Sequence, residues 1–259
     1  MKTQEIADHI ASWLRDYAER SQMRGFVVGV SGGIDSAVTS TLAAMTGRAL
    51  LVVEMPIHKA PAQRRRAREH IERLEARYHN VSSVEVDLTR VLETLIEALP
   101  ETSDAHRHEL SLANTRARLR MTTLYYFAAL DRDLVVGTGN KVEDFGVGFY
   151  TKYGDGGVDL SPIADLTKSE VYVLGQALEV SDSILKAAPT DGLWGDNRTD
   201  EDQIGASYPE LEWAIAFSGD EEALDERQRE ALAIYRRFHA ANRHKMDAIP
   251  VCEIPDDLR

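Results

Sequence analysis

The chain has 259 residues, enough to bury a core in one domain, and its 43% hydrophobic and 28% charged residues are typical of an ordinary globular protein. No apolar run approaches the ~18 residues of a membrane-spanning helix, and the single cysteine, Cys252, excludes an internal disulfide and a Cys-x-x-Cys site. The net charge of −13 argues against non-specific nucleic-acid binding. With no apolar span and no possible disulfide, we expect a cytoplasmic protein with neither a nucleic-acid nor a membrane partner.

The first predicted element is an amphipathic helix over residues 1–17. The apolar residues of this helix recur at helical spacing and therefore share one face: Ile6, Ile10, Trp13, Leu14 and Tyr17. We expect that face to pack against the rest of the protein and the opposite face to lie in water.

Strands and helices then alternate along the chain. The predicted strands are Val- and Leu-rich runs at residues 26–30, 49–55, 83–88 and 134–138. The predicted helices between them are residues 36–45, 61–78, 89–99 and 111–130. This order predicts an α/β fold, a parallel sheet with helices on both faces, whose ligands bind outside the carboxyl ends of the strands.

The segment after the first predicted strand is the most informative one. It reads Gly29-Val30-Ser31-Gly32-Gly33-Ile34-Asp35-Ser36, a glycine turn that leads into a helix. A helix start favours a phosphate, and glycine lets the backbone approach it closely. Ser31 and Ser36 add hydroxyl donors, and Asp35 is suited to a divalent metal that bridges phosphates. The alternative is a capped strand–helix turn without a ligand.

The second half of the chain has fewer regular patterns. Residues 167–178, 210–217 and 221–241 are predicted helices. Residues 189–208 are polar, and we predict a long loop that closes over the bound nucleotide and excludes water. We find no repeat and no low-complexity linker, so we expect a single domain over residues 1–259.

Two charged clusters have a surface interpretation. The basic run at residues 63–68 is predicted to lie on the solvated face of a helix whose Ile71 and Leu74 point inward. His106, His108 and Glu109 have the chemistry of metal ligands, but they fall in a predicted polar loop, where we favour a solvated surface.

The glycine turn resembles the pyrophosphate loop of the ATP pyrophosphatase superfamily, whose members cleave ATP between its α and β phosphates. Further blocks occur in the order typical of one of its families, NAD synthetase: residues 137–143, 151–159, 162–168, 188–190, 199–201 and 242–245. Thr151-Lys152-Tyr153-Gly154-Asp155-Gly156, combined with the pyrophosphate loop, is the most specific of these features. The chain therefore resembles the NAD synthetase family from about Ile6 to Pro255.

This resemblance implies an adenine-nucleotide alpha-hydrolase-like fold, the N-type ATP pyrophosphatase. It implies that deamido-NAD (nicotinic acid adenine dinucleotide) is amidated to NAD with ammonia through an adenylated intermediate, releasing AMP and pyrophosphate, in the last step of NAD biosynthesis. It also implies Mg²⁺ as cofactor and a homodimer. About 25 residues precede the first predicted strand, so we expect the ammonia-dependent form without a glutaminase domain.

The resemblance also implies roles for individual residues. The implied ATP-binding residues are Gly29, Val30, Ser31, Gly32, Gly33, Ile34, Asp35, Ser36, Thr138, Lys168 and Thr190. The implied deamido-NAD-binding residues are Arg118, Lys152, Asp159, His244 and Lys245. Asp35 and Glu143 are the implied Mg²⁺ ligands. Asp35, Lys168 and Asp159 are the expected catalytic residues, with Asp159 or Asp165 helping to deprotonate ammonium.

Alternatives stay open for several of these residues and for the function. Lys152, Arg118 and the pair at 244–245 are alternatively solvated surface groups. Asp159 is alternatively a turn cap, and Glu143 an acid at a helix N-terminus. The alternative functions are another ATP pyrophosphatase, such as a tRNA thiolase or a GMP synthetase-like amidase, and a nucleotide sensor without turnover. Intact Asp35, Glu143 and Lys168 argue against a sensor.

Overall fold

A computed structural model describes residues 1–58, 60–190 and 199–259. Its centre is a four-stranded parallel sheet in the order β3-β2-β1-β4. The strands are β1 (Gly25–Gly29), β2 (Ala49–Glu54), β3 (Val81–Glu85) and β4 (Leu134–Val135). All three pairs of neighbouring strands are parallel, with Phe26 of β1 opposite Leu50 of β2 and Leu134 of β4. The predicted parallel sheet is confirmed.

Helices join the strands and cover the sheet. They are α1 (Thr3–Arg20), α2 (Ile34–Met45), α3 (Pro61–Arg77), α4 (Thr89–Ala98), α5 (Ala105–Asp131), α6 (Lys168–Ala177), α7 (Asp182–Leu185), α8 (Asp200–Ile204), α9 (Tyr208–Ala216) and α10 (Glu226–Met246). A π-helical segment, Lys141–Val147, follows β4 closely. None of the helices in the described ranges is both long and apolar enough to span a membrane.

The two faces of the sheet have separate apolar cores. Phe26 and Val28 of β1 pack with residues of α1, α2, α3 and α6 on one face. Val27, between them, points to the other face and packs with residues of α4 and α5. This alternation follows from the two-residue period of a strand. The predicted arrangement of helices on both faces is confirmed.

The third strand is Val81–Glu85 where residues 83–88 were predicted, and three further predicted elements differ from the structure. The helix predicted over residues 111–130 begins at Ala105, because Asp104 accepts a hydrogen bond from the backbone N–H of Arg107 and caps it. His106, His108 and Glu109 therefore lie in a helix and not in a polar loop. In the described parts of the chain, no group of three or more His, Cys, Asp or Glu residues is arranged to hold a metal ion.

The other two differences also arise from helix caps. The polar segment predicted as a loop over residues 189–208 contains α8, which Thr199 and Asp202 start with a capping box. Tyr208, at the end of the same segment, is the first residue of α9. Residues 191–198, the middle of the predicted closing loop, lie outside the described residues. The helix predicted over residues 221–241 is divided, because Asp225 and Gln228 form a capping box that starts α10.

The sheet order places the segments that follow β1 and β4 at the same end of the sheet, the carboxyl end of its strands. β1 has β2 on one side and β4 on the other, so the connections leaving the sheet diverge above its carboxyl end. A crevice forms at such a divergence in open α/β sheets. The glycine turn follows β1 and residues 137–140 follow β4, so both segments line this crevice.

Candidate active site

The glycine turn after β1 is held by hydrogen bonds of its own. The Ser36 hydroxyl donates to the carbonyl of Gly33 at 3.0 Å and accepts from the backbone N–H of Ser31 at 3.2 Å. The N–H of Gly33 donates to the Ser31 hydroxyl at 3.2 Å. Both predicted hydroxyl donors therefore shape the loop, and the first N–H groups of α2, which lack intrahelical partners, supply its anion-binding capacity.

Helix α3 packs directly against this loop. Gly32 has a φ of +85°, and a Cβ atom added there would lie 2.6 Å from the carbonyl oxygen of Gln63 and 3.0 Å from the backbone nitrogen of Ala67. Arg66 Nε donates to the Gly32 carbonyl at 3.1 Å. Glycine is required here by both the backbone conformation and the close approach of α3.

Lys168, Asp35 and Glu143 form the charged centre of the crevice. Lys168 Nζ lies 2.6 Å from Oδ2 of Asp35 and 2.8 Å from Oε1 of Glu143. The Lys168 side chain is 3% exposed, and each of the two carboxylates is 17% exposed. Three residues that are far apart in the chain are thus brought into one buried contact.

Asn140 holds both carboxylates in position. It is fully buried, and its Nδ2 donates to Oδ1 of Asp35 at 3.2 Å. Its Oδ1 accepts the N–H groups of Val142 and Glu143, each at 3.0 Å, and so caps the π-helical segment that carries Glu143. Single π-helical turns occur frequently at functional sites.

Tyr208, the first residue of α9, contacts both Glu143 and Lys168 of the charged centre. Its hydroxyl donates to Oε1 of Glu143 and lies 3.2 Å from Oδ2 of the buried Asp200. Lys168 Nζ also lies 4.9 Å from the centre of the Tyr208 ring. The start of α9 is therefore part of the site.

Burial and charge set the protonation of this centre. Burial lowers the pKa of Lys168, but Asp35 and Glu143 outweigh it, so the pKa is raised and the ammonium stays charged. Burial acts in the opposite direction on Glu143, where the contact with Lys168 outweighs it and the pKa is lowered. Burial raises the pKa of Asp35, against the effect of Lys168. One cation shared by two carboxylates leaves the centre with excess negative charge.

A cavity of about 260 Å³ opens above the loop and this charged centre. Of the predicted ATP-binding residues, those that line it are Gly29, Val30, Ser31, Gly32, Gly33, Ile34, Asp35, Thr138, Lys168 and Thr190. Arg66, Arg120 and Asp155 also line it. The predicted ATP-binding residues are thus brought together, with Ser36 just beneath the surface of the loop.

Four of the five predicted deamido-NAD-binding residues form a second group, here called the basic cluster: Arg118, Lys152, His244 and Lys245. Arg118 Nη2 donates to the Lys152 carbonyl at 3.4 Å, and Lys152 Nζ donates to the His244 carbonyl at 2.6 Å. Lys245 Nζ donates to the carbonyl of Tyr150 at 2.7 Å. The basic cluster thus joins α5, the segment at 150–152 and the end of α10.

Asp159 does not belong to this cluster. Its Oδ1 accepts the Tyr125 hydroxyl at 3.0 Å, and its Oδ2 accepts the backbone N–H of Val135 in β4 at 2.8 Å. Both carboxylate oxygens are engaged with protein donors in the manner of the turn-cap alternative. Asp165, the other suggested base, is 98% exposed and pairs with Lys141 at 2.9 Å.

Two functional residues were missed in the sequence. Asn140 had a usable signal, because an Asn followed three positions later by a Glu is a typical helix start. Tyr208 had none, since it is 65 positions from Glu143 and fell in a predicted loop. Chemically, the site combines an anion-binding helix start, a buried ammonium and two carboxylates, which suits a polyphosphate and the activation of an acid.

Comparisons with known proteins agree with this geometry. The NAD synthase family matches residues 6–247. An NH(3)-dependent NAD(+) synthetase of Carboxydothermus hydrogenoformans is 37% identical over 225 residues, which cover 86% of this chain and 89% of that protein.

Solved structures give the same result. An NMN synthetase from Francisella tularensis matches with a TM-score of 0.85 at 30% identity, covering 98% of this chain and 100% of that chain. An NH3-dependent NAD synthetase from Campylobacter jejuni matches with a TM-score of 0.77 at 27% identity and the same coverage of both chains. The resemblance inferred from the sequence blocks is confirmed, and the chain belongs to the NAD synthase family.

Proposed function

We propose that this chain catalyses the ATP-dependent amidation of deamido-NAD to NAD with ammonia, and that residues 1–259 carry out this reaction as a single domain without a glutaminase. The observation that carries the proposal is the contact of Lys168 with both Asp35 and Glu143 beside a phosphate-binding loop. Membership of the NAD synthase family supports deamido-NAD as the acid that is activated.

The first step is an adenylation. A nicotinate carboxylate oxygen forms a bond to the α-phosphorus of ATP, and the bond from that phosphorus to the β-bridging oxygen breaks. Pyrophosphate leaves with the electron pair. The N–H groups at the start of α2 and the Lys168 ammonium stabilise the negative charge that collects on the leaving phosphates.

The second step is the attack of ammonia. Its nitrogen lone pair forms a bond to the acyl carbon, AMP leaves with the electron pair of the carbon–oxygen bond, and the nitrogen releases a proton. No covalent intermediate with the protein is needed, so positioning and electrostatics supply the catalysis. Since both Asp159 oxygens accept hydrogen bonds from protein groups, we propose a positioning role for Asp159 at β4.

Asp35 and Glu143 fit a magnesium ion. Mg²⁺ prefers oxygen ligands and is usually held by one or two carboxylates together with substrate phosphates. The two carboxylates meet at one point beside the loop, and a single ammonium does not balance their charge. When bound, the ion would neutralise phosphate charge.

The basic cluster is proposed as the site of the acid substrate. Deamido-NAD carries two phosphates, and Arg118, Lys152 and Lys245 supply positive charge next to the cavity. A homodimer is proposed as well, because Tyr126 and Leu130 on α5 are each 61% exposed and offer apolar surface. Sedimentation should give the mass of a dimer, and Leu130→Asp should shift it toward a monomer.

A second candidate substrate is the corresponding mononucleotide, nicotinic acid mononucleotide. It is favoured by the match with the NMN synthetase from Francisella tularensis. The two candidates share the nicotinate carboxylate and hence the same chemistry. They differ in whether a second nucleotide must be accommodated.

The test is one reaction with separated products. Purified protein, Mg-ATP and ammonium are incubated with deamido-NAD or with nicotinic acid mononucleotide, and the nucleotides are resolved by chromatography. Equal amounts of NAD and AMP, formed only with deamido-NAD, are expected. NMN formed at a higher kcat/KM would establish the second candidate, and AMP with neither acid would overturn both. Glutamine in place of ammonium tests the nitrogen donor, and we expect no product.

A further inference from the structure

The basic run at residues 63–68 divides into arginines with different surroundings. Arg64 Nη2 and Arg68 Nη2 contact the two carboxylate oxygens of Glu85, at 2.7 and 2.9 Å. Arg65 is exposed. Arg66 instead faces the glycine turn and lines the cavity. The expected solvated face of α3 therefore includes one arginine that belongs to the nucleotide site.

The position of Arg66 is fixed from two sides. Its backbone lies on α3, where α3 approaches Gly32 so closely that only a glycine fits. Its Nε donates to the Gly32 carbonyl at 3.1 Å. In the part of the chain that the structure describes, no carboxylate pairs with Arg66, unlike Arg64 and Arg68.

The Nη1 and Nη2 groups of the Arg66 guanidinium are left for a ligand. The group has five N–H donors in a planar fork, and the bond to Gly32 uses only the one on Nε. The four remaining N–H groups, on Nη1 and Nη2, suit two oxygens of one phosphate. Burial lowers the pKa of Arg66, but an arginine remains charged in a protein.

We propose that Arg66 binds the phosphates of ATP that leave as pyrophosphate, while its Nε holds the carbonyl side of the same loop. This inference rests on the proposed use of ATP. Arg66 and Lys168 line the same cavity from α3 and α6, so the leaving group contacts cations from two separate helices. A phosphate that binds Arg66 also stabilises the loop conformation at Gly32.

The test measures pyrophosphate binding without turnover. Mg-pyrophosphate is titrated calorimetrically into the wild type and into Arg66→Ala, Arg66→Gln and Arg65→Ala. Arg66→Gln keeps an N–H donor for the Gly32 carbonyl and removes the charge, and Arg65→Ala removes a neighbouring charge from the same helix turn. We expect the Kd to rise about 10- to 100-fold in both Arg66 variants and to stay within twofold in Arg65→Ala.

Kinetics provide the second readout. In both Arg66 variants the KM for ATP and the inhibition constant of pyrophosphate should rise together, with the KM for the acid substrate unchanged. If Arg66→Gln binds pyrophosphate as the wild type does, Arg66 acts only through the loop and the inference is wrong. Absence of pyrophosphate binding by the wild type also overturns it, even if NAD is formed. The proposed function is tested separately by product analysis, and it is wrong if no amide product appears.

Discussion

Lys168 Nζ lies 2.6 Å from Oδ2 of Asp35, although 133 positions separate the two residues in the chain. Each residue stands in the first turn of its helix, Asp35 in α2 and Lys168 in α6. An anion is favourable at a helix N-terminus, whereas a cation is not. The carboxylates of Asp35 and Glu143 therefore determine where this ammonium lies.

Replacing Lys168 with Met should impair both catalysis and stability. Two buried carboxylates would lose their cation, and breaking a buried pair in this way costs roughly 3–5 kcal/mol of unfolding free energy. We expect kcat to fall about 100- to 1000-fold, because charge on the leaving phosphates is no longer stabilised. Urea unfolding and steady-state kinetics measure the two effects. Lys141→Met, at an exposed pair with Asp165, is the control and should change neither.

A pair of glycine substitutions separates backbone strain from close packing. Gly32 and Gly47 both have positive φ, but an added Cβ at Gly47 has no atom within 4 Å, whereas at Gly32 it meets α3. Gly47→Ala should cost about 1 kcal/mol. Gly32→Ala should cost about 1–3 kcal/mol more and weaken ATP binding. Equal Tm values for the two variants would contradict the close contact between α3 and the loop.

The buried His70 should make stability depend on pH. Burial, with a contribution from Arg73, lowers its pKa from 6.5 to about 4. Between pH 6.5 and 4 the unfolded chain binds a proton at His70 that the folded protein does not. The contribution of neutral His70 to the free energy of unfolding is therefore complete above pH 6.5 and is lost as the pH falls toward 4. The full effect is roughly 3 kcal/mol.

This dependence is checked by denaturant unfolding between pH 4 and 7. His70→Gln should flatten the dependence, whereas His79→Gln, at an exposed position, should leave it as in the wild type. His70 Nε2 lies 2.8 Å from the Ser40 hydroxyl, and glutamine is chosen because its amide supplies a hydrogen-bonding group of similar reach that does not titrate. An unaltered slope in His70→Gln would refute the prediction.

Asp159→Asn should reveal a structural role. Asparagine keeps one acceptor oxygen for the Val135 N–H and offers an N–H donor to the Tyr125 hydroxyl, so two hydrogen bonds to a charged group become neutral ones, at about 1–2 kcal/mol of stability. The pH dependence of kcat should be that of the wild type, because the residue is not expected to move a proton. A shifted profile would instead support the catalytic role predicted from the sequence. Asp165→Asn is the control, and both measurements should stay unchanged.

The sequence predicted the sheet and the phosphate loop because both depend on local chemistry. Apolar runs predicted β1, β2 and β4 to within a few residues, and the glycine turn predicted the loop. The start of α5 at Ala105 was missed, and α8 at Asp200–Ile204 was predicted as part of a loop, because capping side chains decide both helix starts. Helix propensity is summed over many residues and does not show which capping hydrogen bond forms in the folded protein.

The site was predicted where a residue belongs to a recognisable block and missed where tertiary packing alone places it. Lys168 and Glu143 are in such blocks, and the structure brings them together. Tyr208 reaches Glu143 only because α9 packs beside the π-helical segment. Arg66 resembled its neighbours in the basic run, and only the packing of α3 on Gly32 distinguishes it.

Helix α5 connects the ATP cavity with the basic cluster. It has 27 residues and hence a length of about 40 Å. Arg120 on this helix lines the cavity and Arg118 belongs to the basic cluster, so the spacing between the two regions is set within one rigid element. Under the proposed function, an acid substrate that does not reach the basic cluster while its carboxylate lies at the ATP cavity loses the contacts there, so a mononucleotide should bind more weakly than a dinucleotide.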